Sequence, residues 1–156
     1  MSEHNKADFN YHPIQLREIK VLKLSIEDNP AFDGDFAKED FSDFGFYHMH
    51  SDYDAESQTF FVKVKAVIGQ VEDGCEQGPD EELTVAPFNM VVELAGLFSV
   101  DESSFKTEYI DSFARRNAPL LVYPYLREHV YSLTNRAGYD PALLPLFEVP
   151  AFKLQK

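Results

Sequence analysis

The chain has 156 residues, of which 44% are hydrophobic and 26% are charged, and these values are ordinary for a single globular domain. Its 27 acidic and 14 basic residues give a net charge of −13 at pH 7, which disfavours nucleic acids and anionic membranes as partners. The sequence also lacks an apolar run long enough to cross a bilayer, so we expect no stable membrane insertion.

The cysteine content and the N-terminal sequence indicate the compartment. Cys75 is the only cysteine, so no internal disulfide can form, and a reducing environment is expected. Carboxylates surround it in the sequence and disfavour a reactive thiolate. The first residues lack the basic region and apolar core of an export signal. We therefore expect a cytoplasmic protein.

The first two predicted strands precede and follow a turn-rich acidic stretch. An apolar run begins at Ile14 and stops at 28–30, where Asp, Asn and Pro follow one another. The residues expected to share one face of this strand are Leu22, Leu24 and Ile26. A second extended segment is predicted at 41–52, and its shared face would hold Phe44, Phe46, His48 and His50.

The third and fourth predicted strands have a clear two-residue period. In the third, the apolar positions are Phe60, Val62, Val64, Ala66 and Ile68. An acidic turn at 72–80 follows, and then a run at 83–100 places Phe88, Met90, Val92 and Leu94 on one face. Gly96 is expected to mark a bend or bulge in this run. Because the links between strands resemble turns, an antiparallel meander is predicted.

After Val100 the apolar period indicates two helices. Asp101 or Ser103 is the expected cap of the first, which would carry one stripe formed by Phe105, Tyr109 and Phe113. The second begins near Pro119 and continues to the Ala-Gly pair at 137–138.

The second helix has two apolar stripes instead of one. The first stripe contains Val122, Leu126, Val130, Leu133 and Ala137, and the second contains Leu120, Tyr123, Arg127 and Tyr131. Two stripes need two partners. We expect the first to cover the sheet and the second to form an oligomer interface, with a single chain that buries both stripes as the alternative.

Four segments of the C-terminal half carry a family resemblance. They are Ala-Gly-Leu-Phe-Ser-Val at 95–100, the Pro-rich apolar run with its Arg-Glu pair at 118–130, Asn-Arg-Ala-Gly at 135–138 and Leu-Leu-Pro at 143–145. In order and spacing, over about 88–152, these segments resemble the SecB protein-export chaperone family. The N-terminal strands match that family only in their pattern.

The resemblance implies an α+β fold in which C-terminal helices pack on one face of a four-stranded antiparallel sheet. It also implies a dimer or a dimer of dimers. With the patterns above, it predicts a flexible N-terminus at 1–12, one SecB-like domain at 13–152 and a short tail at 153–156. Members of the family bind non-native proteins along apolar grooves. On this chain the groove candidates are Leu97, Phe98, Leu143, Leu144, Leu146 and Phe147.

Two departures from the family affect the expected role. The chain ends at Lys156, where the family has a second helix and a tail that helps to engage the SecA motor. The family also presents an acidic residue to SecA from its last strand, whereas Asn89, Met90 and Val91 stand here and Glu93 is displaced. We expect an ATP-independent holdase that binds extended apolar segments, with a role in export. The alternative is a dedicated binding or scaffold module for one protein partner.

Catalytic and metal chemistry have little support in the sequence. His48, His50 and Asp52 alternate as metal ligands on a strand would, but alternating polar residues on an exposed strand also occur without a metal. Nucleotide-binding glycine loops, nucleophile elbows and zinc-site spacings are absent from the sequence. We therefore expect neither an enzyme nor a cofactor.

Overall fold

A computed structural model describes residues 9–34, 44–69 and 86–148. These residues form the strands β1 (Ile14–Asp28), β2 (Gly45–His50), β3 (Thr59–Ile68) and β4 (Phe88–Val100), then a 3-10 turn (Thr107–Tyr109) and the helices α1 (Ile110–Arg116) and α2 (Ala118–Arg136). The predicted acidic turn with Cys75, the beginnings of the predicted second and fourth strands, and the tail at 153–156 lie outside the described residues.

The four strands form one antiparallel sheet in the order β1-β4-β3-β2. The predicted meander is therefore correct for β2, β3 and β4 but wrong for β1, which pairs with β4 from Ile14 opposite Val100 to Asp28 opposite Phe88. The reason lies in the composition of the strands. Glu93 is the only charged residue of β4, whereas β1 carries six charged residues, and charged residues suit a sheet edge.

Two irregularities in β1 change which of its residues face the core. The register with β4 shifts between Leu16 and Glu18 and again between Val21 and Lys23. Each extra residue reverses the alternation of faces. The predicted face is therefore wrong at Leu22, because Val21, Leu24 and Ile26 are the residues that lie opposite the inward-facing Leu94, Val92 and Met90.

The core lies between the inner faces of β3 and β4 and the two helices. Every predicted inward residue of these strands is at most 2% exposed: Phe60, Val62, Val64, Ala66, Ile68, Phe88, Met90, Val92 and Leu94. The expected bulge at Gly96 is wrong, because Gly96 pairs regularly with Val62 and with Ile19. Gly96 instead lies under α2, since a Cβ atom there would come 2.7 Å from Val122 Cγ2.

The first helix differs from its prediction at its cap and in its first turn. Asp101 accepts a hydrogen bond from the Ser103 amide at 3.0 Å, and this bond forms a turn well before α1 instead of capping it. Phe105 and Phe113 are in contact at 6.0 Å between ring centroids, but Tyr109 is 55% exposed. Tyr109 therefore does not belong to the buried stripe, because a 3-10 turn replaces the expected first turn of the helix.

The first predicted stripe of α2 covers the sheet, as expected from its period. Val122, Leu126 and Val130 are fully buried, Leu133 is half-buried, and only Ala137 at the helix end is exposed. The helix stops where Gly138 adopts a φ of 93°, a left-handed conformation that glycine accepts without steric cost.

Two tyrosine–carboxylate hydrogen bonds predict how stability depends on alkaline pH. Tyr53 donates to Glu102 and Tyr139 donates to Asp28, both at 2.6 Å. Burial and the bond to Glu102 raise the pKa of Tyr53 from 10.0 to about 12. The bond to Asp28, followed by burial, raises the pKa of Tyr139 to about 12. Because the folded pKa is raised, this stabilisation is fully present below pH 10.0 and is lost as pH rises towards about 12.

We therefore expect the melting temperature of the wild type to fall across this window more steeply than that of the Tyr53→Phe/Tyr139→Phe variant. Circular dichroism melts at a series of pH values measure both slopes. Lysine deprotonation acts on both proteins and cancels in the comparison. Parallel slopes would show that these bonds do not couple the tyrosines to folding.

Candidate functional site

The chain reverses after α2 and returns along the same helix as residues 139–148, called here the C-terminal segment. The Tyr139 amide donates to the Thr134 carbonyl at 3.1 Å, and the Ala142 amide donates to Thr134 Oγ1 at 2.8 Å. Thr134 is fully buried, and so is Leu144 further along the segment. The segment is therefore attached to α2 by its backbone as well as by an apolar side chain.

Two side chains of α2 hold the middle of the C-terminal segment. Arg127 Nε donates to the Leu144 carbonyl at 2.6 Å, and the Tyr123 hydroxyl donates to the Pro145 carbonyl. Burial raises the pKa of Tyr123 although the nearby positive charge of Arg127 opposes the shift. The hydroxyl therefore stays protonated near neutral pH and remains a donor.

These bonds leave apolar side chains of the C-terminal segment facing solvent. Leu143 is 63% exposed, Leu146 is 76% exposed and Phe147 is 38% exposed. Large apolar side chains clustered on a monomer surface commonly mark a binding site. Because the neighbouring backbone at Ala142, Leu144 and Pro145 is already hydrogen-bonded, a ligand would meet a largely preorganised surface and little ordering cost.

Phe147 joins this segment to an aromatic cluster at the β2 edge of the sheet. Its ring centroid lies 4.7 Å from that of Tyr123, 5.0 Å from that of Phe46 and 6.2 Å from that of Phe44. Phe46 lies opposite Ala66 in the register and packs edge-on against Tyr123, with an angle of 80° between the two rings. The aromatic cluster and the C-terminal segment together form one apolar surface, called here the apolar surface.

The geometry of the apolar surface suits an extended polypeptide. β2 is the last of the described strands of the sheet, and no described strand pairs with its outer edge, so this edge is a candidate for pairing with a further strand. The neighbouring rings and leucines offer contacts for alternate side chains. The arrangement needs no charged or catalytic group. Its chemistry is the burial of apolar side chains.

The structure brings together only half of the predicted groove residues. Leu143, Leu146 and Phe147 lie on the apolar surface, whereas Phe98 and Leu144 are fully buried in the core. Leu97 lies on the opposite face of the sheet, because it alternates with Phe98 along β4. Phe44 and Phe46 were not among the predicted groove residues. Their alternation in an aromatic strand is the signal that points to them.

The predicted oligomer interface on α2 is divided in the structure. Tyr123 and Arg127 bind the C-terminal segment of their own chain, while Leu120 is half-buried and Tyr131 is 44% exposed. Two further apolar side chains of the helix, Leu121 and Tyr125, are 48% and 49% exposed. The exposed part of this helix remains a candidate interface.

The two histidines of β2, His48 and His50, contact different parts of the protein. His48 lies against the Phe46 ring with centroids 6.0 Å apart, whereas His50 Nε2 lies 3.7 Å from Asp111 Oδ1 on α1. Within 9–34, 44–69 and 86–148, no three His, Cys, Asp or Glu side chains come together in a way that could hold a metal ion. His48, His50 and Asp52 therefore gain no support as a metal site from the described structure.

An antiparallel sheet backed on one face by a long C-terminal helix, with an apolar surface at one edge, defines an α+β domain. The model of the family described as "Preprotein translocase subunit SecB" matches residues 52–151. The chain belongs to the SecB family. Both the predicted family and the predicted fold class are confirmed.

Two solved structures are similar to this chain. The SecB-like chaperone Rv1957 of Mycobacterium tuberculosis, in complex with a ChAD peptide from the Rv1956 HigA1 antitoxin, is 23% identical with a TM-score of 0.57, and the match covers 89% of this chain and 94% of that one. A Streptococcus agalactiae protein of unknown function is 12% identical with a TM-score of 0.43, over 86% of this chain and 97% of that one.

No match was found among curated proteins. Among the helices in the described part of the chain, none has both the length and the apolar character needed to traverse a bilayer.

Proposed function

We propose that the protein is a holdase that binds extended apolar segments of non-native proteins without nucleotide. The observation that carries this proposal is the exposure of Leu143, Leu146 and Phe147 on a backbone that α2 holds in place. Membership of the SecB family supports a chaperone role. The net charge of −13 favours solubility of a complex with an aggregation-prone client. We place this activity in the cytoplasm, with protein export as one route that its clients follow.

The proposal includes self-association through α2. Leu120 and Tyr131 would form the interface together with Leu121 and Tyr125, because a second copy of the helix buries these side chains without disturbing the C-terminal segment. The apolar surface would remain open in such an oligomer. Light scattering on the purified protein measures its mass.

A dedicated module for one protein partner is the second candidate. It is supported by the complex of Rv1957 with a peptide from an antitoxin, in which a SecB-like chaperone binds a segment of one other protein. Such a module would recognise that partner and leave unrelated unfolded chains to aggregate.

The decisive experiment is suppression of aggregation of a chemically unfolded client at stoichiometric protein without nucleotide. We expect the wild type to suppress light scattering and the Leu143→Ser/Leu146→Ser variant to bind the client at least about tenfold more weakly. Each leucine forfeits about 1.5 kcal/mol or more of buried apolar contact, and about 1.4 kcal/mol corresponds to a factor of ten.

The matched control removes two other exposed apolar side chains. Phe9 and Tyr11 are 88% and 96% exposed and precede β1, and Tyr11 lines a cavity with Val100 and Asp101 at the end of β4, so Phe9→Ser/Tyr11→Ser should suppress aggregation as the wild type does. Equal weakening in both variants would contradict the assignment of the surface. Failure of the wild type to suppress aggregation of several unrelated clients would favour the dedicated module.

A further inference from the structure

The face of the sheet opposite α2, called here the outer face, is formed by the residues that alternate with the core residues of each strand. Its members on β2, β3 and β4 include Tyr47, Met49, Phe61, Lys63, Lys65, Val91, Glu93, Ala95 and Leu97. Val122 of α2 packs on the other side of the sheet, at Gly96. No described helix packs on the outer face.

Several apolar side chains of the outer face meet solvent. Met49 is 58% exposed, Phe61 is 42% exposed and Tyr47 is 39% exposed. Phe61 lies opposite the half-buried Leu97 in the register of β3 and β4. The apolar residues therefore extend across the sheet from β2 to β4 and are not scattered singly.

The charge of the outer face has the opposite sign to that of the chain. Its basic side chains outnumber its acidic ones by five to three: Arg17, Lys20, Lys23, Lys63 and Lys65 against Glu18, Glu27 and Glu93. The whole chain has 14 basic and 27 acidic residues. Arg17 belongs to this face because its Nε donates to Ser99 Oγ at 2.7 Å.

Protection of a sheet edge does not account for Lys63 and Lys65. β3 is an internal strand paired on both sides, so lysines there do not prevent edge-to-edge association. Both lysines are half-buried, and lysines in such positions commonly pack their aliphatic stems on apolar neighbours while the ammonium group stays in water. In the described residues neither lysine forms an ion pair within the chain.

We propose that the outer face binds an extended acidic segment of a partner protein. Carboxylates of the segment pair with Lys63 and Lys65, and apolar side chains that flank the carboxylates on the same face of the segment pack on Met49, Phe61 and Leu97. Lys63 and Lys65 stand two residues apart on one face of a strand, roughly 7 Å, which is also the spacing of carboxylates at alternate positions of an extended segment. This face is distinct from the apolar surface, and it selects a partner by charge.

The probe is a fluorescently labelled peptide that places two glutamates and their flanking leucines at alternate positions, with serine at the positions between, so that the glutamates and leucines lie on one face of the extended peptide. It is compared with the same peptide carrying lysine for glutamate. We expect the acidic peptide to bind the full chain at least about tenfold more tightly. Its affinity should fall several-fold between about 50 mM and about 300 mM NaCl, because salt screens exposed charges. Fluorescence anisotropy measures both affinities.

Three variants locate the binding. Lys63→Glu/Lys65→Glu should weaken binding at least about tenfold. Arg115→Glu/Arg116→Glu makes the same change in net charge on α1, where both arginines are exposed, and should leave binding unchanged. Leu143→Ser/Leu146→Ser should also bind normally, which separates the outer face from the apolar surface. Lys63→Gln/Lys65→Gln replaces the glutamate variant if that variant fails to fold.

Three results would overturn the proposal. An equal loss of peptide affinity in the lysine and arginine variants would show that binding depends on the net charge of the protein and not on the outer face. Equal binding of the acidic and basic peptides would remove the charge selection. Stronger binding of single-stranded oligothymidine than of the acidic peptide, lost in the same lysine variant, would assign the face to polyanions instead of proteins.

Discussion

Gly96→Ala is expected to lower the free energy of unfolding by about 1–3 kcal/mol, the usual cost of forcing an extra carbon into a packed core. The new Cβ would lie 2.7 Å from Val122 Cγ2 and 3.2 Å from Leu16 Cδ1. Val122 cannot rotate away easily, because a β-branched residue in a helix has one strongly preferred rotamer. The helix must therefore move away from β4, and this movement loosens the contact that positions the C-terminal segment.

Urea denaturation at one fixed protein concentration measures this effect, since the stability of an oligomer depends on concentration. The matched experiment introduces the same substitution into a Val122→Ala background. There the clashing methyl group is absent, so Gly96→Ala should cost little. An equal cost in both backgrounds would show that the loss arises from the strand and not from contact with the helix.

The strands β3 and β4 and the helix α2 were predictable, because the apolar residues of each element largely follow a single strand or helix period. β3 alternates without interruption, and β4 does so except at Val91, which is buried although it lies on the other face, so the inward residues from Phe60 to Leu94 followed from the sequence alone. α2 likewise has bounds close to those expected, because Pro119 suits a first turn and Gly138 suits a helix end. Local preference and tertiary packing agree in these elements.

The errors occur where one residue or one distant contact overrides the local pattern. Two extra residues in β1 reverse its alternation, and neither has a glycine or proline that would announce a bulge. The position of β1 beside β4 depends on pairing between distant residues, from Asp28 with Phe88, 60 positions apart, to Ile14 with Val100, 86 positions apart. Asp101 has a side chain suited to a helix cap, but it forms a turn with Ser103 instead. The helix starts later than expected, because Phe105 packs against Phe113 of α1 from the segment that precedes the helix.

The candidate site was only partly predictable for a related reason. The apolar residues of 143–147 are evident in the sequence, but their pattern does not distinguish the buried Leu144 from the exposed Leu143 and Leu146. That distinction depends on Arg127 and Thr134, which bind the segment backbone from α2. Such contacts leave no periodic signal. The contribution of Phe44 and Phe46 depends in addition on the folding of β2 against the returning chain.

Thr134→Val is expected to cost about 1–3 kcal/mol of stability, although valine has nearly the shape of threonine. Thr134 Oγ1 accepts the Ala142 amide at 2.8 Å and donates to the Val130 carbonyl at 2.9 Å. The carbonyl keeps its helical partner after the change, but the Ala142 amide loses its acceptor while remaining buried. The C-terminal segment should therefore separate from α2 before the rest of the domain unfolds.

Hydrogen exchange at the Ala142 and Leu144 amides distinguishes this local opening from a general loss of stability. Thr134→Ser is the matched control, because it keeps the hydroxyl and removes only a methyl group. We expect faster exchange at these amides in the valine variant, with amides of β3 and β4 less affected, and near-normal protection in the serine variant. If both variants exchange alike, the hydroxyl does not hold the segment. If the valine variant opens the segment and also loses client binding, the exposed leucines act only when their backbone is fixed, as a preorganised surface requires.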